Sequence, residues 1–206
     1  MTTYKTAAAA IFLVSGFLIT YHFLDLSIPA VDFHSFYLAA KAAAHGGPVY
    51  DHSYLESLVE IQNQYNKVYP YLYPPFLAFA MIPLTGMSSP EARNIWYFLN
   101  LFSFAFSVFL WVLIFRNLFI NKETLKFWLQ ATAAGLFMMV MLPYINNVSV
   151  GQVNCIVLLF ITLSIYLGTR KQFFIAGLVL SIAVMIKITP VLLLLFYIAR
   201  KRYGAI

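Results

Sequence analysis

The chain has 206 residues, of which 62% are hydrophobic, 18% aromatic and only 10% charged, and its mean hydropathy is +0.82. A soluble domain carries about 25% charged residues to keep its surface wet, so this composition excludes an ordinary water-soluble domain. The net charge of +6 sits at the ends of apolar runs, a pattern that reports membrane topology and gives no reason to expect a nucleic-acid partner.

A membrane-spanning helix needs about 20 apolar residues. In chain order, apolar runs at 7–24, 95–115, 127–145, 155–168, 173–186 and 191–199 predict spans, making the chain an all-α, polytopic membrane protein. The first run follows only Lys5 and imitates a secretory signal. It lacks a small-residue cleavage site and precedes further apolar runs, so it reads as a retained helix. Cys155 is the single cysteine, which rules out an intramolecular disulfide.

The run at 76–86 is too short for an ordinary span, and whether it crosses sets the orientation of everything after it. If it does not cross and the N-terminus is cytoplasmic, the inner side holds Lys5, Arg116, Lys122, Lys126, Arg170, Lys171, Arg200, Lys201 and Arg202. The outer side then keeps only Lys41, Lys67, Arg93 and Lys187. The opposite choice puts most of the basic residues outside, against the positive-inside rule. The favoured arrangement is a multi-pass protein of the cytoplasmic (inner) membrane, in contact with membrane lipids. Its first outer loop is large, about 27–93.

Within that loop the sequence predicts interfacial helices at 33–45, 52–66 and 76–86. The first stops at Gly46-Gly47, a glycine C-terminal signal. The second ends before Tyr69-Pro70-Tyr71-Leu72-Tyr73-Pro74-Pro75. Aromatic residues crowd the loop, as at a lipid headgroup level, and polar chemistry belongs here.

Three places carry candidate chemistry. Asp32 precedes the helix at 33–45, where it reads either as an N-cap or as a carboxylate held at the outer surface as a general base. Gly151-Gln152-Val153-Asn154 opens the run at 155–168, where the amides either cap the helix or line an anion or sugar site. Lys187 interrupts a nearly continuous apolar run, at a cost of about 2.5–3.5 kcal/mol if it lies at the bilayer centre. It either snorkels to the headgroups or holds an anion such as a lipid phosphate, with Pro190 breaking the helix beside it. His22, His34, His45 and His52 show no metal-ligand spacing, although His45, Asp51 and His52 are close enough in sequence to meet across the Gly46-Gly47 turn.

Five motifs in order resemble glycosyltransferase family 87: Asp32-Phe33-x-x-Phe36-Tyr37-x-Ala39-Ala40, Gly46-x-x-Val49-Tyr50-Asp51, Tyr73-Pro74-Pro75-Phe76, Gly151-Gln152-x-Asn154 and Lys187-x-x-Pro190. The resemblance covers essentially the whole chain. Members are usually about twice this long, with the topology read above, so the 206 residues are expected to form the N-terminal half of such an enzyme as a single, partial GT-C module.

What the resemblance implies is a GT-C-like helical bundle that transfers a sugar, mannose in this family, from a polyprenyl-phosphate-linked donor. The acceptor is a hydroxyl of a glycolipid, glycan or protein on the outer face, and the transfer inverts the anomeric centre. Asp32 would be the catalytic base and Lys187 the donor-phosphate ligand. Tyr73, Gln152 and Asn154 would line the sugar or phosphate pocket, with His34 and Asp51 as further substrate-binding candidates. The implied chemistry uses no cofactor and no metal, because a cationic side chain neutralises the phosphate. Two other readings fit parts of the sequence: a transporter or flippase-like protein with Lys187 in its path, and an inactive, truncated membrane subunit. No internal repeat supports the transporter.

Overall fold

In a computed structural model of the chain, residues 11–12, 14–19, 21–22, 30–59, 68–119 and 125–199 are described. Among them the secondary structure is helical throughout, with no strand. Residues 7–10, 13, 20 and 23–24 of the predicted span at 7–24, and residues 60–66 of the predicted helix at 52–66, lie outside these residues.

Helix α1 (Val31–Ala44) starts two residues earlier than its sequence suggests. Phe33, His34, Ser35, Phe36, Tyr37, Leu38, Ala39, Ala40 and Ala42 are all buried, so protein covers the helix on most of its sides. The cover comes from α3 (Pro75–Met81), the 3₁₀ turn Ile82–Gly86 that follows it, α2 (His52–Ser57) and α4 (Ser89–Phe119). Leu77, Ala78 and Met81 are the buried residues of α3. The predicted stop of α1 holds. Gly46 adopts φ +67°, and the Gly47 amide returns to the Ala42 carbonyl at 2.8 Å.

Helix α4 is the long element of the fold. At 1.5 Å per residue its 31 residues reach about 46 Å, beyond the ~30 Å hydrocarbon thickness of a bilayer. Ala92, Trp96, Asn100, Ser103 and Ser107 lie on its buried side, whereas Phe98, Phe102, Phe109 and Phe115 are exposed. Small residues along a seam let backbones approach closely, and α4 packs along α7 (Asn154–Thr169). Helix α8 (Phe173–Ile186) lies on α7 in turn. There Ser164 Oγ donates to the Ala176 carbonyl at 2.9 Å and lies 3.1 Å from the Tyr197 hydroxyl.

Two prolines set the remaining geometry by one rule. A proline ring clashes with the carbonyl four residues earlier and has no N–H to give. Pro143 therefore ends α5 (Leu125–Met139) at Met139, and Pro190 ends α8 at Ile186. The chain restarts as α6 (Leu142–Ser149) in the first case, and as a 3₁₀ turn Thr189–Val191 with α9 (Leu192–Ala199) in the second. The predicted span at 127–145 thus consists of two helices bent by 56°.

Among the described residues, one helix, at Ser89–Asn117, is long and apolar enough to cross a membrane, or two if the bent pair acts as a single span. The runs predicted at 155–168, 173–186 and 191–199 do form helices, but each is shorter than an ordinary span.

Candidate active site

The breaks gather the polar groups. Residues 150–152 form a turn between α6 and α7. The Val150 carbonyl accepts from the Asp32 and Phe33 amides at 3.0 and 3.5 Å, so the start of α1 is docked directly on that turn. Gly151 adopts φ +73°, and a Cβ there would sit 2.5 Å from Phe33 Cβ. Only glycine accepts both the left-handed backbone and that approach.

Gln152, next in the turn, reaches two partners. Its Nε2 donates to Asp32 Oδ2 at 2.5 Å, and its Oε1 accepts from the Tyr73 hydroxyl at 3.0 Å. An ionised carboxylate only accepts, which fixes the orientation of the amide. On the other side of Tyr73, Lys187 Nζ lies 5.7 Å from the centre of the Tyr73 ring and donates to Asn154 Oδ1 at 2.8 Å. Tyr73 therefore touches both arms of the site, the carboxylate arm through its hydroxyl and the ammonium arm through its ring.

The local backbone explains these placements. Asp32 and Phe36 are one helical turn apart, so the face that presents the carboxylate also presents the Phe36 ring, edge-on to Tyr73 at 4.8 Å. The Tyr-Pro turn is held by tyrosine hydroxyls. Tyr71 donates to the Pro74 carbonyl at 2.6 Å and accepts from the Ala78 amide at 3.1 Å, and Tyr50 donates to the Tyr73 carbonyl at 3.0 Å. Lys187 is the first residue past α8, in extended conformation (φ −148°, ψ 129°). The break at Pro190 turns it out of the helix.

Asp32 and Lys187 line the same cavity of about 790 Å³, walled by Tyr50, Tyr69, Tyr71 and Tyr73. That volume is in the range of small-molecule sites. Burial raises the Asp32 carboxyl above the usual carboxylate range, against the Gln152 hydrogen bond and the Lys187 ammonium, which both pull it down. Burial likewise raises the Tyr73 hydroxyl, which keeps it a hydrogen-bond donor. A separate cavity of about 270 Å³ between Phe12, Phe102, Phe109 and Trp128 is walled by apolar side chains and Thr132, and none of its lining residues is an acid or base.

Of the residues singled out in the sequence, Asp32, Tyr73, Gln152, Asn154 and Lys187 come together. Two of the plain readings are corrected. Asp32 does not cap α1, because Ala30 holds the N-cap position and Asp32 lies inside the first turn. Gln152 and Asn154 do not cap α7 either; Val153 is its N-cap, without a side-chain bond. Lys187 bonds within the protein.

Two candidates stay apart. His34 is buried two residues round α1 from Asp32, its ring held down to about 4 by burial and then by Lys41. Asp51 caps α2 by accepting from the Tyr54 amide at 3.1 Å. His45 bonds the Lys41 carbonyl and His52 pairs with Glu56, so the grouping considered for His45, Asp51 and His52 does not form.

The sequence did not single out Trp96 or the Val150 carbonyl, and it placed Tyr50 only within a motif. Each acts through a contact between segments distant in the chain. The one local sign was the glycine at 151, beside the amides.

A largely apolar chain, helical in its described residues, with a carboxylate and an ammonium group facing one cavity fits a membrane-associated enzyme. A sequence model of glycosyltransferase family 87 matches residues 71–206. The chain belongs to that family and is a glycosyltransferase, acting on a sugar donor and an acceptor. The match takes in Tyr73, Gln152, Asn154 and Lys187, and Asp32 precedes it. No curated protein and no solved structure matches the chain. Family membership favours the enzyme over the transporter reading.

Proposed function

We propose that this glycosyltransferase moves a sugar, mannose by its family resemblance, from a polyprenyl-phosphate donor to an acceptor hydroxyl, with inversion, at the outer face of a membrane that the chain crosses several times. The observation that carries this reading is the presence of Asp32 and Lys187 on one cavity wall, joined through Tyr73.

Asp32 is the base. It takes the proton of the acceptor hydroxyl as that oxygen bonds to the anomeric carbon and the carbon–oxygen bond to the phosphate breaks. A carboxyl raised by burial is a stronger proton acceptor in its ionised form, and such help is worth roughly 10²–10⁴ in rate. The polyprenyl phosphate leaves with one more negative charge than it carried in the ester. Lys187, steered by Asn154, meets that charge where it develops, which favours the transition state over the bound donor. The tyrosine walls suit a sugar ring, offering flat apolar faces and hydroxyls together.

The test is transfer of radiolabelled mannose from polyprenyl-phosphate-mannose in membranes containing the protein, comparing wild type with Asp32→Asn and Lys187→Ala. Transfer in the wild type, lost in Asp32→Asn at normal protein level, supports the assignment. Unchanged transfer in Asp32→Asn rules out the base. No transfer from this donor in the wild type rules out the donor class.

A further inference from the structure

The backbone of the turn 150–152 is held at several atoms, each by a different bond. The Val150 carbonyl is taken by the Asp32 and Phe33 amides. The Gln152 amide donates to the Asn147 carbonyl at 2.8 Å. Between them, the Gly151 carbonyl accepts from Trp96 Nε1 at 2.8 Å. Trp96 is only 3% exposed, with its ring 6.1 Å from Phe33 and 5.9 Å from Phe36.

A glycine peptide is the easiest in a chain to flip, because glycine populates both signs of φ at little cost. A flip at Gly151 would swing the plane that carries Gln152, and the bond on the Gly151 oxygen that opposes it comes from Trp96. The same indole leans on Phe33 and Phe36, which flank and share the helix of Asp32. One side chain therefore registers the turn that carries Gln152 against the helix that carries the carboxylate.

We propose that Trp96 is a positioning residue for sugar transfer: its indole N–H locks the Gly151 peptide, and through it holds the Gln152 amide on Asp32. This rests on the reading of Asp32 as the base. Trp96 touches no reacting atom, and its action runs wholly through Gln152.

The test is a double-mutant cycle with Trp96→Phe and Gln152→Ala, read as kcat, donor KM and the pH profile of transfer from polyprenyl-phosphate-mannose. Phenylalanine keeps a ring against Phe33 and Phe36 and deletes the N–H. The expected result is a kcat lower by roughly tenfold, the size of one lost hydrogen bond, with the donor KM unchanged because Lys187 is untouched. The acid limb moves to higher pH, since Asp32 loses the Gln152 bond while its burial and the Lys187 charge remain. In the Gln152→Ala background Trp96→Phe adds little, because the two act in series.

Additive losses with an unmoved acid limb would overturn the proposal and leave Trp96 as packing. If Asp32→Asn retains transfer, the base reading fails, and the Trp96–Gln152 coupling in kcat still decides whether Trp96 positions Gln152. Should Trp96→Phe fold poorly, the benzothienyl analogue of tryptophan at position 96 preserves the ring shape and removes only the donor. Wild-type kcat with that analogue would equally overturn the proposal.

Discussion

Gln152 Nε2 meets Asp32 Oδ2 across 120 residues of chain, and the same amide accepts from the Tyr73 hydroxyl. One side chain thus orients the carboxylate and ties it to the tyrosine that also packs under Lys187. A half-buried carboxylate with an amide donor and a nearby ammonium is poised between two states: burial favours its protonated form, and its partners favour the ionised one.

The first prediction separates chemistry from architecture at Asp32. Asp32→Asn is expected to lower transfer by roughly 10²–10⁴ without lowering the melting temperature in detergent at neutral pH. The sign follows from the raised carboxyl. Its folded pKa lies above the unfolded one, so the ionised side chain opposes folding above that window and ceases to do so below the unfolded pKa. An amide of the same shape removes the opposition and still accepts from Gln152. A clear drop in melting temperature would identify Asp32 as a structural residue.

The second prediction concerns the ammonium arm. Lys187→Ala should lower kcat by roughly 10²–10³, as for loss of one preorganised charge-stabilising group. It should also shift the acid limb of the pH profile upward, because the Lys187 charge is one of the two influences holding the Asp32 carboxyl down. Asn154→Ala keeps the charge and releases only its tether of 2.8 Å, so roughly a tenfold loss is expected. Equal losses in the two variants would mean that placement of the charge, rather than its presence, decides the rate.

The third prediction tests the turn. Gly151→Ala combines a left-handed backbone with a Cβ 2.5 Å from Phe33 Cβ, and should cost roughly 1–3 kcal/mol or more of stability. Gly46 has a similar φ of +67°, but a Cβ there would meet nothing within 4 Å, so Gly46→Ala should cost only about 1 kcal/mol. Thermal denaturation of both variants in one detergent gives the comparison. Equal shifts would show that the approach to Phe33 is easily relieved.

How much of this was readable in advance depended on the range of the interaction. Asp32, Lys187 and the Gly151-Gln152-Val153-Asn154 turn stand out because charge, amide clusters and glycine are rare in an apolar chain. Their partners do not stand out, because capping needs only neighbouring residues, whereas the Gln152–Asp32 and Asn154–Lys187 bonds need the fold. The protein cover on the helix after Asp32 was hidden for a related reason. An aromatic segment such as Phe33 to Tyr37 reads the same whether its rings face headgroups or other protein, and here α3 and α4 cover it. At Pro143 the apolar run outweighed the proline in the reading, although the proline fixes the bend. Pro190 was given its weight because Lys187 stood beside it.

The last prediction is a pH dependence of stability that owes nothing to catalysis. His34 is 3% exposed, and burial, followed by the Lys41 charge, lowers its ring from 6.5 to about 4. The folded protein thus holds His34 neutral where the unfolded chain would already bind a proton. The resulting stability is fully present above pH 6.5 and is lost as the pH falls towards 4, a swing of about 3 kcal/mol at most. The melting temperature in detergent should therefore fall between pH 7 and pH 5, and the fall should shrink in His34→Gln, which has no proton to gain. Asp32 acts in the opposite direction over its own window, since its raised carboxyl favours the folded state as the pH drops. The Asp32→Asn variant should consequently show a steeper acid loss than the wild type. If instead His34→Gln keeps the full slope, the acid sensitivity originates elsewhere and the ring is accessible to protons in the folded state.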